Sequence, residues 1–234
     1  MKRHHAQVLQ LEKSDSTQDT AITKKKAKIP NIPHNHEQNF IQLEMSQAQV
    51  YYYHSIFSLQ DCLKYYSDLA SLPYWSRPVF KIFGRPATAA RLTCSFGSTP
   101  EKTYRYSGTV AKVDSIDYPP FITIIKDKIE SILNVNFNFV LLNWYQNGND
   151  SIGAHADDEG SLVPQGVIAC VSFGAPRTFM FQNKCDKKLV HKIILENGSL
   201  IVMKGTTQQF WKHSIPKEKK IKDGRISLTF RQLK

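Results

Sequence analysis

The sequence has few cysteines and no long hydrophobic run, and each shortage excludes a class of protein. Its four cysteines stand far apart among 234 residues, and no two of them form a C-x-x-C pair. A disulfide framework or a thiolate zinc site is therefore not expected, and the compartment is expected to be reducing. The first residues contain no apolar leader, and runs such as "FVLL" are too short to cross a bilayer. These shortages predict a soluble, intracellular protein with no membrane partner.

Acidic residues are also scarce relative to basic ones. The chain carries 31 Lys and Arg against 20 Asp and Glu, a net charge of +11. Residues 177–234 alone hold 14 Lys and Arg against 4 Asp and Glu, a local net charge of +10. A basic surface favours a polyanion, and nucleic acid is the commonest polyanion in a cell. A solvated lysine surface without a partner is the alternative.

The chain divides into a polar tail and one domain. Residues 1–46 are rich in Gln, Ser, Thr, Lys and His and show no hydrophobic period, which predicts a disordered basic tail. Residues 47–234 are enough for one domain of catalytic size. The tail contains the lysine cluster "KKKAK", which is compatible with nuclear import. We therefore expect a nuclear protein, with a cytoplasmic pool as the alternative.

Two helices are predicted ahead of a series of strands. The first starts with a Ser-x-x-Asp capping pattern at Ser58 and stops at Pro73. Its expected apolar face consists of Leu59, Cys62, Leu63, Tyr66 and Leu69. The second helix is predicted for residues 120–134, with proline at its start. Its expected apolar side consists of Phe121, Ile125, Ile129 and Ile132.

After the second helix the hydrophobic period becomes two. Segments bounded by Gly, Asn and Asp turns predict strands at 137–145, 166–174, 177–183, 188–196, 198–205 and 224–233. Many short strands in succession, without helices between them, indicate a closed or double-layer antiparallel structure such as a jelly roll. Together with the two helices, this predicts an α+β protein.

Polar residues follow the period of two where an apolar interior would be expected. Asn143 and Tyr145 share one face of a strand. The face shared along the last strand consists of Arg225, Ser227, Thr229 and Arg231. Buried arginine is costly unless it is paired, so two inward guanidinium groups indicate an anionic ligand in forked geometry. A small dicarboxylate fits.

The stretch "GAHADDEG" places His155 and Asp157 on the same face of an extended segment, and His213 follows later in the chain. Two histidines and one carboxylate on a β-scaffold match the facial triad that binds non-haem Fe(II) and leaves positions open for substrate and oxygen. A His and an Asp at this spacing also arise by chance, and many histidines only make ordinary hydrogen bonds. A zinc-type hydrolase would use the same ligands but would leave the two arginines unexplained.

Taken in order, these motifs resemble a known family. The segments "FNFVLLNWYQNGNDSIGAHADDE", "VSFGAPRTFMF", "HSIP" and "RISLTFR" are similar to the core of the AlkB-type 2-oxoglutarate- and Fe(II)-dependent dioxygenases, especially the eukaryotic DNA-repair members of the AlkB homologue two type. Weaker similarity extends upstream through "YRYSG", "ARLTCSFG" and "VFKIFG" to about residue 79. The resemblance implies a cupin-like double-stranded β-helix with supporting N-terminal helices and a nucleotide-recognition segment at about residues 75–118.

The resemblance also implies a role for each matching residue. The iron ligands, and therefore the catalytic residues, would be His155, Asp157 and His213. The residues that hold 2-oxoglutarate would be Asn143, Tyr145, Arg225, Thr229 and Arg231, with Arg231 at the carboxylate beside the iron and Arg225 at the distal one. The residues that bind the damaged nucleotide would be Phe80, Arg91, Tyr104, Tyr106 and Asp158. Phe80 would be the wedge that fills the base stack, and Phe83 is its rival.

The implied function is oxidative repair of alkylated DNA, with Fe(II) as the metal and 2-oxoglutarate as the co-substrate. Methyl groups of the N1-methyladenine and N3-methylcytosine type would be removed from flipped bases, with release of formaldehyde, succinate and carbon dioxide. The expected partner is alkylated double-stranded DNA, and the expected state is a monomer. Two alternatives stay open: the same chemistry on RNA or single strands, and a nucleic-acid-binding protein without catalysis.

Overall fold

The structure is a computed structural model, and it describes residues 40–82, 85–97, 104–106, 109–111 and 117–234. Its elements, in chain order, are β1 (Phe40–Gln42), β2 (Gln49–Tyr53), α1 (Leu59–Ala70), β3 (Val79–Ile82), β4 (Arg85–Thr88), β5 (Leu92–Gly97), β6 (Tyr104–Tyr106), β7 (Thr109–Ala111), α2 (Pro120–Leu133), β8 (Phe139–Tyr145), β9 (Ile152–His155), β10 (Ile168–Gly174), β11 (Arg177–Asn183), β12 (Val190–Leu195), β13 (Leu200–Lys204), α3 (Thr207–Phe210), β14 (Trp211–Ile215) and β15 (Arg225–Arg231).

Two antiparallel sheets form the centre of the molecule. The large sheet has seven strands in the order β1-β2-β13-β10-β15-β8-β5, and the small sheet has four in the order β12-β11-β14-β9. Neighbouring strands in each sheet are mostly distant in sequence, as in a jelly roll. Two hairpins, β3–β4 and β6–β7, form separate two-stranded sheets. The predicted jelly-roll core is confirmed, and each strand predicted after α2 contains one observed strand.

Apolar side chains cover both faces of the large sheet. One layer packs α1 and α2 against the sheet and includes Leu69, Ile125 and Leu228. The other layer fills the space between the two sheets and includes Phe181, Ile201 and Trp211. Each buried side chain of this size contributes roughly 1.5–3 kcal/mol relative to an exposed one. The polar face of β15, which points into the space between the two sheets, interrupts this second apolar layer.

Helix α1 begins where the capping pattern predicts, but it buries only part of the predicted face. The hydroxyl of Ser58 accepts a hydrogen bond from the Asp61 amide, which caps the first turn. The buried residues are Cys62, Tyr65 and Leu69. Leu59 and Leu63 are 69% and 62% exposed, so their predicted burial was wrong. The helix contacts the sheet along a narrow stripe, and these two leucines lie beside that stripe.

Helix α2 agrees more closely with its prediction. It starts at Pro120, and Asn134 ends it in the left-handed region at φ 50°, with its amide donating to the Glu130 carbonyl. The fully buried positions are Ile122, Ile125, Ile129 and Leu133. Phe121 and Ile132 are only partly buried. Within the described residues, no helix combines the length and the hydrophobicity needed to cross a membrane.

The predicted tail is too long by several residues. Residues 40–46 were assigned to it, but β1 pairs with β2 at the edge of the large sheet, and Met45 is buried. The Phe40 ring lies 5.2 Å from the Tyr53 ring, measured between centroids, and this contact fixes the edge strand. A three-residue strand gives too short a pattern to detect. The remainder of the tail, residues 1–39, lies outside the described residues.

Candidate metal and co-substrate site

A cavity lies between the two sheets, and its lining combines residues from both. The lining residues are Arg91, Leu141, Asn143, Tyr145, Ile152, His155, Asp157, Cys170, Phe179, Met203, His213, Ile215, Arg225, Ser227, Thr229 and Arg231. All three predicted iron ligands and all five predicted 2-oxoglutarate residues belong to this set. The cavity therefore brings together side chains that lie up to 140 positions apart in sequence, from Arg91 to Arg231.

The two histidines face each other across the pair formed by β9 and β14. His155 is opposite His213 in the register, and their ring centroids are 4.3 Å apart. Asp157 follows the end of β9, with its Oδ1 atom 3.6 Å from Nε2 of His155 and 3.9 Å from Nε2 of His213. One ligand atom from each of the three residues lies within 4.8 Å of the others, which is a spacing that a single metal ion can bridge.

Burial of the two histidines and the charges around Asp157 keep the three side chains in the protonation states that a metal requires. Burial lowers the pKa of His213 to about 3, with a smaller effect from the neighbouring His155, and it likewise lowers the pKa of His155. Burial alone would raise the pKa of Asp157, but the Arg231 guanidinium and the two histidines hold it well below its usual range. At neutral pH the group therefore presents two neutral imidazoles and one carboxylate, which matches the donor set for Fe(II).

A backbone hydrogen bond fixes the tautomer of His155. Nδ1 of His155 lies 2.9 Å from the Gly153 carbonyl oxygen, which can only accept, so Nδ1 carries the proton and donates. The lone pair is consequently on Nε2, the atom that faces Asp157. A carbonyl partner on the far nitrogen is the usual orienting contact of a metal-ligating histidine.

Strand β15 carries the predicted alternation and is buried along its whole length. Arg225, Ser227, Thr229 and Arg231 line the cavity. Ile226, Leu228 and Phe230 enter the layer between the large sheet and the helices. Pairing with β8 places Arg225 opposite Tyr145 and Ser227 opposite Asn143. The two predicted polar faces therefore coincide.

Arg225 is a buried cation with an unsatisfied donor. Its Nη2 donates to the Ser172 hydroxyl at 2.9 Å, and its guanidinium carbon lies 5.4 Å from the centroid of the Tyr145 ring. Its Nε atom is buried and has no hydrogen-bond partner among the described residues. An orphaned buried donor of this kind is costly unless a ligand satisfies it, and the carboxylate of 2-oxoglutarate is a fitting acceptor.

Arg231 makes a contact that the sequence did not reveal. Its Nη2 and Nε atoms donate to Oδ2 of Asp157 at 2.6 and 3.1 Å, and its Nη1 donates to the Thr229 carbonyl. Arg231 therefore orients Asp157, one of the predicted metal ligands, and keeps it ionised. Arg231 was also predicted to bind the carboxylate of 2-oxoglutarate beside the iron. That role stays a prediction, since the contact that the structure shows is with the carboxylate of Asp157.

Two further polar residues of the cavity hold each other in place. Nε of Arg91, just before β5, donates to Oδ1 of Asn143 at 2.6 Å. Arg91 lines the same cavity, and its predicted contact with the nucleotide stays a prediction. Burial raises the pKa of Tyr145, so its phenol stays protonated and can donate a hydrogen bond.

The predicted nucleotide-binding residues do not form one group in the described part of the chain. Phe80 is partly buried on the β3–β4 hairpin and is absent from the cavity lining. Asp158 is exposed beside the cavity, with its carboxylate 3.0 Å from Nζ of Lys184. Tyr104 and Tyr106 lie on β6, which pairs with β7. Their side chains, and all of Phe83, fall outside the described residues.

Sequence reasoning missed three residues that support the site. Ser172 binds Arg225, Gln208 accepts a hydrogen bond from the Asp157 amide at 2.9 Å, and Arg177 binds the backbone near both histidine strands. Ser172 is a polar residue in an otherwise apolar strand, and that break in the pattern was a usable signal. Gln208 is on the short α3, where the sequence gives no indication of its partner.

Comparisons with known proteins agree with this geometry. The family model of the 2OG-Fe(II) oxygenase superfamily matches residues 49–231. The human DNA oxidative demethylase ALKBH2 is 36% identical over 160 residues, which cover 65% of this chain and 60% of that protein. The human alpha-ketoglutarate-dependent dioxygenase alkB homolog 3 is 38% identical over 149 residues, which cover 60% of this chain and 51% of that protein. The matched region thus spans between half and three fifths of these two relatives.

Relatives outside animals and a solved structure extend the comparison. The Arabidopsis thaliana DNA oxidative demethylase ALKBH2 is 35% identical over 180 residues, covering 67% of this chain and 57% of that protein. A solved structure of OsALKBH1 matches with a TM-score of 0.56 and 17% identity, covering 78% of this chain and 97% of that one. At this identity the structural likeness supports the fold alone.

Proposed function

This chain belongs to the 2OG-Fe(II) oxygenase superfamily, and from that premise we propose that it removes N-methyl groups oxidatively from bases of alkylated DNA. One observation carries the proposal: a single cavity contains the His155, Asp157 and His213 cluster together with Arg225, whose buried Nε donor has no partner in the part of the chain that the structure describes. The relatives named DNA oxidative demethylase support DNA as the substrate class.

The residues of the cavity fit both groups that the family requires. His155, Asp157 and His213 would hold Fe(II), and Arg225 with its forked guanidinium would hold the distal carboxylate of 2-oxoglutarate. When bound, these groups would supply an oxidation that consumes one O2, in which one oxygen atom enters succinate as 2-oxoglutarate loses carbon dioxide and the other leaves with the methyl group as formaldehyde.

The chain itself supplies binding, orientation and charge. The Tyr145 phenol, kept protonated by burial, can donate to the co-substrate next to Arg225. Arg231 keeps Asp157 ionised and fixes its orientation through two bonds to one oxygen. Because the arginine side chains are rigid forks in a buried setting, they hold their acceptors without reorganisation at the moment of reaction.

We propose double-stranded DNA as the substrate, a monomer as the active state and the nucleus as the location. A methyl group on a base edge lies inside the duplex, so the nucleotide must be flipped at a cost of a few kcal/mol. Phe80 on the β3–β4 hairpin would offset that cost by entering the stack. Arg77, next to this hairpin, already donates to the Gln146 side chain at 2.9 Å, so it is engaged within the protein.

The decisive experiment measures two products from one methylated oligonucleotide. The purified full chain is supplied with Fe(II), 2-oxoglutarate and ascorbate, and N1-methyladenine is placed in duplex DNA, single-stranded DNA or single-stranded RNA of one sequence. We expect formaldehyde and succinate in equal amounts, with the duplex turned over at least as fast as either single strand. Faster turnover of RNA would assign the RNA alternative, and absence of formaldehyde from all three substrates would contradict a demethylase.

A matched pair of variants tests the flipping wedge. Phe80→Ala should lower turnover of the duplex substrate by at least about tenfold, or ~1.4 kcal/mol, and turnover of the single strand much less. Phe121→Ala on α2 removes a partly buried aromatic far from the hairpin in sequence and is the control. Equal losses on both substrates with a lower melting temperature would make Phe80 a packing residue. A selective loss in Phe83→Ala would move the wedge to that position.

The proposed state and location have separate tests. Light scattering coupled to size-exclusion chromatography should give the mass of one chain at micromolar concentration, and a dimer mass would overturn the monomer. A fluorescent fusion of the full chain should concentrate in the nucleus, and changing Lys24, Lys25, Lys26 and Lys28 to Gln should release it. An unchanged distribution would separate the lysine cluster from nuclear import.

A further inference from the structure

Arg177 is a fully buried arginine that lies outside the cavity, and its contacts with the histidine strands are not used in the proposed function. It is the first residue of β11, its side chain has no exposed surface, and it is not part of the cavity lining. A buried guanidinium group requires acceptors for its donors. Those acceptors lie on the segments that flank the two histidine strands.

One nitrogen of Arg177 joins the ends of β9 and β14. Nη2 donates to the Asp150 carbonyl at 2.9 Å and to the Pro216 carbonyl at 2.7 Å. Asp150 precedes β9, the strand of His155, by two residues, and Pro216 directly follows β14, the strand of His213. Nη1 adds a bond of 3.3 Å to the Asn147 carbonyl in the same loop as Asp150. The guanidinium group therefore bridges the two histidine strands at one end.

The hydrogen-bond ladder between β9 and β14 is too short and irregular to fix the register of the two strands by itself. It pairs His213 with His155 and Ile215 with Ile152, and its register shifts between the two pairs. The strands are only four and five residues long. A bulge leaves a residue unpaired, and in a short ladder few hydrogen bonds remain to specify the register.

Glu218 holds the guanidinium group in position. Its Oε2 atom accepts from Nε of Arg177 at 3.0 Å and from the Thr178 amide, and its Oε1 accepts from the Thr178 hydroxyl. The backbones also meet here, since the Glu218 amide donates to the Gly148 carbonyl at 2.8 Å. A Cβ at Gly148 would lie 1.8 Å from the Glu218 carbonyl oxygen, so only glycine allows this approach.

The same side chain reaches towards the co-substrate end of the cavity. The guanidinium carbon of Arg177 lies 5.5 Å from the centroid of the Tyr145 ring, and that of Arg225 lies 5.4 Å from it. Tyr145 is thus held by two cations, of which Arg225 lines the cavity and Arg177 does not.

We propose that Arg177 is a positioning residue for the metal site, which clamps the ends of β9 and β14 so that His155 and His213 stay opposite each other. The inference rests on the metal site of the proposed function and does not depend on the nucleic-acid substrate. The clamp requires a planar group with several fixed donors. Lysine offers one nitrogen and cannot reproduce it.

The test compares Arg177→Lys with a destabilised control. Leu69→Ala leaves a cavity in the layer between α1 and the large sheet, away from the site, and lowers the melting temperature by itself. Each protein is titrated with Co(II), whose visible absorption spectrum reports ligand geometry. We expect Arg177→Lys to weaken Co(II) binding by at least about tenfold and to alter the spectrum, while Leu69→Ala changes neither. Expected kinetics are a lower kcat with KM for the methylated oligonucleotide within about twofold.

Each contrary result has its own meaning. If Arg177→Lys lowers the melting temperature but keeps the Co(II) affinity and spectrum of the wild type, Arg177 only stabilises the fold and the proposal is overturned. If the wild type itself binds no Co(II), the metal site of the proposed function fails instead.

A second variant covers the case in which Arg177→Lys does not fold. Glu218→Gln keeps the size of the anchor but removes its charge, so the guanidinium group should lose its fixed orientation. We expect Co(II) binding weaker than in the wild type by several-fold and a broadened spectrum. An affinity and a spectrum equal to those of the wild type would overturn the proposal in this variant too.

Discussion

The two walls of the cavity are built in different ways. The large sheet contributes the residues proposed to bind the co-substrate, and there β15 pairs with β8 in an unbroken register from Arg225 opposite Tyr145 to Arg231 opposite Phe139. The small sheet contributes the histidines on a short ladder with a shifted register. A long regular ladder places its side chains through backbone bonds alone. The metal side instead depends on side-chain contacts added to the ladder.

Those added contacts are concentrated around one ligand. Asp157 lies beyond the end of β9, and it is fixed by Arg231 on its carboxylate and by Gln208 on its amide. His155 is oriented by the Gly153 carbonyl. The difference predicts that changes on the metal wall will be more damaging than changes of equal size on the co-substrate wall.

The largest expected effect comes from removing a metal ligand. His155→Ala, Asp157→Ala and His213→Ala should each lower turnover by at least about a thousandfold, or ~4 kcal/mol. Turnover is measured as formaldehyde release, with His54→Ala at an exposed position as the control. If one of these variants keeps wild-type activity, the residue that it replaces is not a member of the triad.

These three variants should differ in stability. Asp157→Ala leaves Arg231 buried without this carboxylate, and breaking such a pair costs about 3–5 kcal/mol. The two histidine variants remove neutral groups and should unfold at urea concentrations much closer to that of the wild type. Equal midpoints for all three would show that Arg231 finds another acceptor.

The next largest effect concerns the co-substrate wall. Arg225→Lys and Arg231→Lys should each raise KM for 2-oxoglutarate by between about tenfold and a hundredfold, because an ammonium group cannot form a bidentate fork and a hydrogen bond to a charged group is worth about 1.5–3 kcal/mol. Arg85→Lys on β4 is exposed and should leave KM unchanged. A wild-type KM in Arg231→Lys would restrict that residue to orienting Asp157.

A smaller effect should appear in the pH dependence of the metal-free protein. The pKa of His213 is about 3 in the fold and about 6.5 in an unfolded chain. Between these values only the unfolded chain binds the proton, so the free energy of unfolding falls as the pH falls. At pH 5 the loss from His213 is ~2 kcal/mol. Urea unfolding at pH 7 and pH 5 measures this loss in the free energy of unfolding. The wild type and His54→Gln should show the full loss, and His213→Gln should show a smaller one.

The smallest expected effect is on the salt dependence of DNA binding, which should differ between the small-sheet side and the helix side of the outer surface. Lys187 and Lys188 lie in the connection between β11 and β12, and Lys219 and Lys220 follow β14, so all four belong to the small-sheet side and are exposed. Changing all four to Gln should reduce the slope of log K against log salt for DNA binding by up to about 4. Changing the helix-side lysines Lys64, Lys126 and Lys128 to Gln should leave the slope unaltered. An unchanged slope in the fourfold variant would show that these lysines face solvent only.

The sequence predicted the structure correctly where a strong hydrophobic period or a capping residue determines the local fold. The alternation along residues 225–231 separated cavity residues from core residues correctly. The capping serine and the prolines located both helices. In α1 the predicted burial of Cys62 and Leu69 was right, whereas Leu59 and Leu63 satisfy the same helical spacing and are exposed.

The sequence was insufficient wherever a partner is distant along the chain. The Arg231–Asp157 pair spans 74 positions, and the bond from Arg225 to Ser172 spans 53. Neither pair has a local signature, since each requires the registers of different strands to be known first. The motif resemblance supplied the identity of the ligands, but it did not supply the contacts that orient them.

The three ligand side chains are unequally shielded from water. His155 is 20% exposed, against 8% for His213 and 2% for Asp157. A metal ion would consequently enter and leave past His155, while the other two ligands stay covered by protein. Metal exchange on that path requires only that one partly hydrated ligand moves away. An added chelator should therefore remove the metal while the protein stays folded. Iron lost in this way should be replaceable without unfolding.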